Sequence, residues 1–181
     1  MKLLLLLFAI PMLCFGQIVN IPDANFKAYL VGNSAINTNG DNQIQVSEAS
    51  MFNGFISFNE MNISHLIGIE AFTALTALDC GYNQLTILDV SKNTALTELW
   101  CGENQLTILD VSKNTALTYL DCRQNQLTSL DVSKNNALIF LYCFSNQLTS
   151  LDVSKNTDLE FLFCAQNKFD CEALKSKYGI K

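Results

Sequence analysis

LTELWCGENQLTILDVSKNTA, residues 96–116, is one of four nearly verbatim 21-residue copies that begin at Leu75, Leu96, Leu117 and Leu138, and a fifth begins at Leu159. A fixed period of about 20 to 50 residues is the mark of a solenoid, in which each unit buries its apolar face only against its neighbours. With the first Leu as position 1, apolar residues recur at positions 4, 6 and 11 and an Asn at position 9. These are Leu78, Cys80, Leu85 and Asn83 in the first copy and Leu99, Cys101, Leu106 and Asn104 in the second. Positions 3 to 7 alternate outward and inward, which predicts a short strand with one buried face. The Asn at position 9 can bond backbone groups where the chain leaves the strand, and stacked copies would build a ladder of such bonds.

The second half of the unit, Leu88 through Val90 to Ala95 in the first copy, places Asp89, Ser91, Lys92 and Asn93 among apolar residues. Asp, Ser and Asn favour turns through local side-chain-to-backbone bonds, so an extended or single-turn return arm is expected rather than a helix. Cys80, Cys101, Cys122, Cys143 and Cys164 share position 6. On parallel in-register strands their side chains point the same way, which suits stacking as small buried hydrophobes better than bridging. Past residue 16 only Cys171 breaks the register, and a Cys164–Cys171 bridge stays open.

The pattern resembles the leucine-rich repeat, LxxLxLxxNxL, with Cys in place of the last strand Leu. The resemblance covers residues 53–169 as one degenerate, four full and one partial unit. It implies an α/β repeat fold, a right-handed solenoid with a curved parallel β-sheet on its concave face and short extended or single-turn convex arms. In the degenerate unit Ile56, Phe58, Ile63 and Leu66 hold the apolar positions and Met61 replaces the Asn. Solenoid ends expose core and need caps. Over residues 17–52, Ile21-Pro22-Asp23 opens a helix with Phe26, Tyr29 and Leu30 on one face, and a loop at 37–45 leads to a second helix from Ser47 to Phe52. This helix–loop–helix resembles the cap of internalin-type bacterial repeat proteins. Over residues 170–181, Asp170 caps a helix from Cys171 to Tyr178, with Leu174 and Tyr178 on its buried face and Gly179 as its stop.

Residues 1–16 read as a secretory signal peptide: Lys2, an apolar run from Leu3 to Leu13, then Gly16 at the expected cleavage point. The run is shorter than the about 20 residues that span a bilayer. Leu13 disfavours lipidation at Cys14, because lipid-attachment signals want a smaller residue there. A secreted protein is expected, at the cell surface, in the periplasm or released. The 11 basic and 17 acidic side chains give a formal charge of −6. That disfavours nucleic acid and anionic membrane as partners, since both are met by basic surfaces.

Comparison of the copies separates frame from surface. Positions 9 to 20 scarcely vary, whereas positions 3, 5 and 7 read Ala77, Glu98, Tyr119, Phe140, Phe161; Asp79, Trp100, Asp121, Tyr142, Phe163; and Gly81, Gly102, Arg123, Phe144, Ala165. Side chains at one position stand about 4.8 Å apart on neighbouring strands. Tyr119, Phe140 and Phe161 should form one column, Tyr142 and Phe163 the next with Phe144 beside them, and Trp100 should lie across Asp121. An aromatic patch of this kind toward the C-terminal half marks an interaction site, with Arg123, Glu98 and Asp121 at its polar side. Cross-strand stabilisation explains a column but not the clustering.

A second candidate, residues 37–48, resembles the 12-residue EF-hand loop, with Asn37, Asn39, Asp41, Gln43 and Glu48 as ligands for a weak calcium site. The first place is Asn rather than Asp, and Asn42 replaces the usual Gly. A loop held by its own hydrogen bonds is the better-supported expectation. Little points to catalysis: His65 has no placed nucleophile, and Asp89, Asp110, Asp131 and Asp152 recur once per unit as turn residues. The sequence therefore points to a non-enzymatic module, a monomer or weak homodimer, that binds a protein on its concave face. A glycan ligand and self-association are the alternatives.

Overall fold

The computed structural model describes residues 16–181, so all of the expected leader except Gly16, including Cys14, lies outside the described residues. Six strands of three residues each form one parallel sheet in chain order: β1 (Phe55–Ser57), β2 (Ala77–Asp79), β3 (Glu98–Trp100), β4 (Tyr119–Asp121), β5 (Phe140–Tyr142) and β6 (Phe161–Phe163). Equivalent residues pair in register, as in Leu78 with Leu99 and Leu99 with Leu120. The central residue of each strand, Ile56 in β1 and Leu in the other five, is fully buried while its neighbours point to the open face. The core beneath is built from the repeated Leu, Val and Cys positions.

Two columns of asparagine lie under the turns. At position 9, Asn104 donates through Nδ2 to the Cys101 and Gly102 carbonyls of its own repeat and to the Cys80 carbonyl of the preceding one. Its Oδ1 accepts from the Leu85 amide at 2.9 Å. Asn83, Asn125 and Asn146 repeat this arrangement, as the sequence implied. The second column corrects the sequence reading. Asn93, Asn114, Asn135 and Asn156 are not local turn formers but buried cross-repeat donors. Asn114 Nδ2 bonds the Val90 and Asn93 carbonyls at 3.0 and 2.9 Å, and the Oδ1 atoms of all four have no partner. Asp89 and its equivalents are the local ones, each accepting from the amide two residues on. The return arms are hydrogen-bonded turns, with Asn93 N–H to Val90 O and Leu96 N–H to Asn93 O.

Each repeat also holds a non-glycine residue in left-handed backbone at position 8: Tyr82, Glu103, Gln124, Ser145 and Gln166, with φ between 50 and 56°. Such a conformation costs about 1 to 3 kcal/mol. It is held by ladder bonds, since the Tyr82, Glu103, Gln124 and Ser145 amides each donate to a carbonyl of the next repeat.

Helices α1 (Ala24–Gly32) and α2 (Val46–Met51) lie at the N-terminal end. Asp23 caps α1 by accepting from the Asn25 and Phe26 amides through Oδ1. Its Oδ2 takes the Ser64 amide and hydroxyl, which ties the helix to the degenerate repeat. Burial alone would raise the Asp23 pKa, but these hydrogen bonds outweigh it and hold the carboxyl below its usual range. Phe26 packs 5.2 Å from Phe58.

At the far end α3 (Cys171–Tyr178) is capped by Asp170 and stopped by Gly179 at φ 67°. Leu174 and Tyr178 are partly buried against the core. Cys164 is bonded to Cys171 with Cα atoms 5.5 Å apart, so the fifth cysteine is not a stacked thiol. Sequence alone left this open, because Cys171 approaches only once α3 folds back. Lys181 then pairs with β6: the Leu162 amide donates to the Lys181 carbonyl and the Lys181 amide to the Glu160 carbonyl.

Candidate functional site

The open face of the sheet carries the aromatic residues where the register places them. Phe140 and Phe161 stack 4.8 Å apart with planes 3° from parallel, and Tyr142 and Phe163 stack 4.5 Å apart at 6°. Tyr119 joins both columns, at 5.8 Å from Phe140 and 5.4 Å from Tyr142. Trp100, expected across Asp121, meets Tyr119 diagonally at 5.0 Å and Phe55 at 5.7 Å. Phe55 was missed, and the patch therefore runs over the whole sheet rather than clustering at one end. The signal was present: Ile56 at position 4 of the degenerate unit puts Phe55 at position 3. Ala77, between them on β2, has too small a side chain to separate Phe55 from Trp100. Phe55 is 52% exposed and Phe163 42%, while the rings between are half-buried by one another. Glu98 stands in the same row, beside Ala77 and Tyr119.

Beside the aromatics lies a polar notch of about 290 Å³ that includes Asp79, Gly81, Tyr82, Trp100, Gly102 and Asp121. Arg123 forms one wall. Its Nη1 lies 2.9 Å from Asp121 Oδ2, its Nη2 donates to the Tyr82 hydroxyl at 3.3 Å, and its guanidinium lies 5.9 Å from the Phe144 ring centre. Asp121 is only 3% exposed. Burial pushes its pKa up, against the Arg123 amide and guanidinium that pull it down. Burial would lower Arg123, but the adjacent Asp121 charge outweighs it and raises the guanidinium pKa. Glycine at position 7 makes the notch: a Cβ at Gly102 would stand 3.0 Å from both Arg123 Cγ and Asp121 Oδ1.

The cysteine column behind the sheet is chemically quiet. Cys80, Cys101, Cys122 and Cys143 are buried free thiols. Burial pushes all four thiol pKa values up, that of Cys143 to about 12, so none is a thiolate at neutral pH.

The EF-hand-like loop engages its own oxygens. Glu48 Oε1 accepts from Thr38 N, Thr38 Oγ1 and Asn39 N, and Glu48 Oε2 accepts from Gln45 N. Asp41 accepts from the Gln43 amide, Asn39 Nδ2 and Gln45 Nε2, and Asn39 Oδ1 takes the Asp41 amide. Lys27 occupies Gln43 Oε1, and Asn37 donates to the Val31 and Asp41 carbonyls. Only Asn37 Oδ1 is buried without a partner. The donor set therefore does not fit a calcium ion without rearrangement. Among the described residues no group of three or more His, Cys, Asp or Glu is placed to hold a metal. His65 lines a separate cavity of about 510 Å³ with Ile67, Glu70 and Ile87, and its Nδ1 is buried without a partner.

Stacked parallel strands at a 21-residue repeat, an Asn ladder and end helices define a leucine-rich-repeat solenoid. Comparison with solved structures places it more narrowly. The functional domain of InlJ from Listeria monocytogenes, described as including a cysteine ladder, is 32% identical over 86% of this chain and 45% of that one, with a TM-score of 0.62. The Listeria monocytogenes internalin InlF shares the fold at a TM-score of 0.75 and 21% identity, over 88% of this chain and 48% of that one. A leucine-rich-repeat protein of Leptospira interrogans is 30% identical over 57% of this chain and 28% of that one, with a TM-score of 0.54. The chain is a leucine-rich-repeat protein of internalin type, and it spans less than half the length of these solved chains. A family model described as the LVIVD repeat matches residues 80–100, the length of one repeat. Comparison with curated proteins finds no match. Among the described residues no helix is long and apolar enough to cross a membrane.

Proposed function

We propose that the open, concave face of the sheet binds a protein partner and that the chain acts after export, as a non-catalytic recognition module. The carrying observation is the continuous aromatic run from Phe55 through Trp100, Tyr119 and Phe140 to Phe161, with Tyr142 and Phe163 alongside. Aromatic side chains dominate interface hot spots because they bury large area at little conformational cost. The four-copy frame does not require them, since Ala77, Glu98 and Asp79 occupy equivalent positions. Export is supported by the charged and apolar N-terminus and by the Cys164–Cys171 bridge, which suits an oxidising compartment.

The ring geometry favours protein over glycan. A sugar stacks on an open aromatic face, yet Phe140 and Tyr142 turn their faces to the next ring, and Lys181 Nζ lies 5.9 Å from the Phe161 ring centre. Mostly ring edges are offered, and edges suit apolar side chains.

The test is an array of secreted proteins and glycans probed with the mature chain and with a Trp100/Tyr142/Phe163 triple-alanine variant. Binding of a protein by the first and not the second is expected, and equal binding would refute the concave-face reading. Size-exclusion chromatography with light scattering addresses self-association: a stable dimer lost on Phe140→Ser or Phe163→Ser would replace a foreign partner with a second copy.

A further inference from the structure

We infer that the notch beside Trp100 is an anchoring pocket for an arginine side chain of the bound partner, an inference that rests on the concave-face reading above. In register along the sheet, Trp100 is flanked by Asp79 on β2 and Asp121 on β4. Two carboxylate positions therefore stand about two strand spacings apart, roughly 10 Å, with an indole between them. Tyr82 and Tyr119 line the same notch. Aromatic faces and carboxylates together are the chemistry that recognises a cation, and a planar guanidinium can lie on a ring while donating sideways.

The charges are uneven. Asp79, Glu103 and Asp121 surround a single cation, Arg123, whose Nη1 is on Asp121 and whose Nη2 is nearer Tyr82 than Glu103, which lies 3.9 Å away. Asp79 has only neutral donors, the Ser57 hydroxyl on Oδ2 and the Gly81 amide on Oδ1. It is the carboxylate left for an incoming cation.

The other repeats supply an internal comparison. Position 7 is Gly81 and Gly102 within the notch, Asn59 and Arg123 at its sides, and Phe144 and Ala165 beyond it, so the opening lies where two successive repeats lack the side chain. The protein already makes contacts of this type: the Arg123 guanidinium sits over Phe144 and the Lys181 ammonium over Phe161. A partner segment with an arginine next to apolar side chains would fill the notch and the aromatic run together.

The chain's single tryptophan lies in the notch, so its emission reports occupancy directly. N-acetylarginine amide titrated into the whole chain should shift Trp100 emission saturably, with half-saturation of about 1 to 10 mM, as befits one detached side chain. The uncharged isostere N-acetylcitrulline amide should give no saturable shift, and N-acetyllysine amide one at least about tenfold weaker. Asp79→Asn keeps the size and the Gly81 amide on Oδ1, with Nδ2 donating to the Ser57 hydroxyl where the carboxylate accepted from it, and should weaken the arginine response about tenfold. Asp110→Asn, on a return arm, should leave it unchanged. Equal responses to arginine and citrulline, or an arginine response unmoved by Asp79→Asn, would overturn the pocket. The arrays separate this from the broader reading: a partner bound through the aromatic run with no arginine response sinks the notch alone. An arginine response with no partner sinks the function alone.

Discussion

The two asparagine columns look interchangeable in sequence yet should differ sharply in what they contribute. In Asn104→Ala the carbonyls of Cys80, Cys101 and Gly102 lose a donor, but each keeps another: Asn83 Nδ2, Asn125 Nδ2 and the Tyr82 amide respectively. The Leu85 amide has no such reserve. Its one partner is Asn104 Oδ1, and Leu85 is fully buried. A buried orphaned amide costs about 1 to 3 kcal/mol, and the shared donor bonds add roughly 1 more. The expected loss is about 3 kcal/mol. In Asn114→Ala two bonds at about 1 kcal/mol each disappear. The Val90 and Asn93 carbonyls keep their turn amides, from Asn93 and Leu96. Removing the partnerless Asn114 Oδ1 returns roughly 1 kcal/mol of desolvation penalty, leaving a net loss of about 1 kcal/mol. For a chain of this length the difference of about 2 kcal/mol is a Tm gap of roughly 4 to 8 °C. Thermal melts of both variants measure it, and amide exchange at Leu85 tests its cause, since protection there should fall in Asn104→Ala only. Equal melting temperatures, or the reverse order, would refute the assignment of cost to the orphaned amide.

Gln124→Gly should raise stability by about 1 kcal/mol in urea titration, because relief of left-handed strain exceeds the about 0.5 to 1 kcal/mol that glycine's freedom costs in the unfolded chain. The four buried thiols should resist iodoacetamide in the folded protein at neutral pH and all react after denaturation; reaction in the folded state would contradict their burial. Hydrogen bonds lower the Asp23 and Glu48 pKa values in the folded state despite burial. A lowered folded pKa gives stability that is complete above the unfolded value and is lost as pH falls through the folded one. Stability should therefore hold from neutral pH down to the ordinary carboxylate range and fall below it. Exchange at the Phe26, Ser64 and Thr38 amides should rise as pH falls through that range, and unchanged protection there would contradict this.

The frame was largely legible because the repeat states each requirement several times. Leu at position 4 and Asn at position 9 need no tertiary information once parallel stacking is accepted. The second column was misread for a physical reason: Asn93 in an Asp-x-Ser-Lys-Asn turn has a sufficient local explanation, and nothing within one repeat says its amide reaches back to Ile69 and Phe72. Its recurrence without substitution through Asn156 was the available clue. At the site, the paired columns followed from register. The Phe55–Trp100–Tyr119 diagonal did not, because rings reach across the gap left by Ala77 in a way that same-position counting ignores. In the loop at 37–48 the oxygens turn toward the loop's own amides, the arrangement that its residue types favoured over a weak calcium site.

Because both asparagine columns reach back to equivalent groups of the preceding repeat, the array has a joint that is the same from one full repeat to the next. Removing residues 96–116 in one piece would set Leu75's unit against Leu117's, with Asn125 Oδ1 presented to Leu85 in place of Asn104 Oδ1. The cut would take Glu98, Trp100 and Gly102 with it, bringing Ala77 beside Tyr119 and Gly81 beside Arg123. Surface and frame can thus change on separate schedules. Slippage of one 21-residue unit edits a single row of the open face and leaves each remaining joint chemically the same.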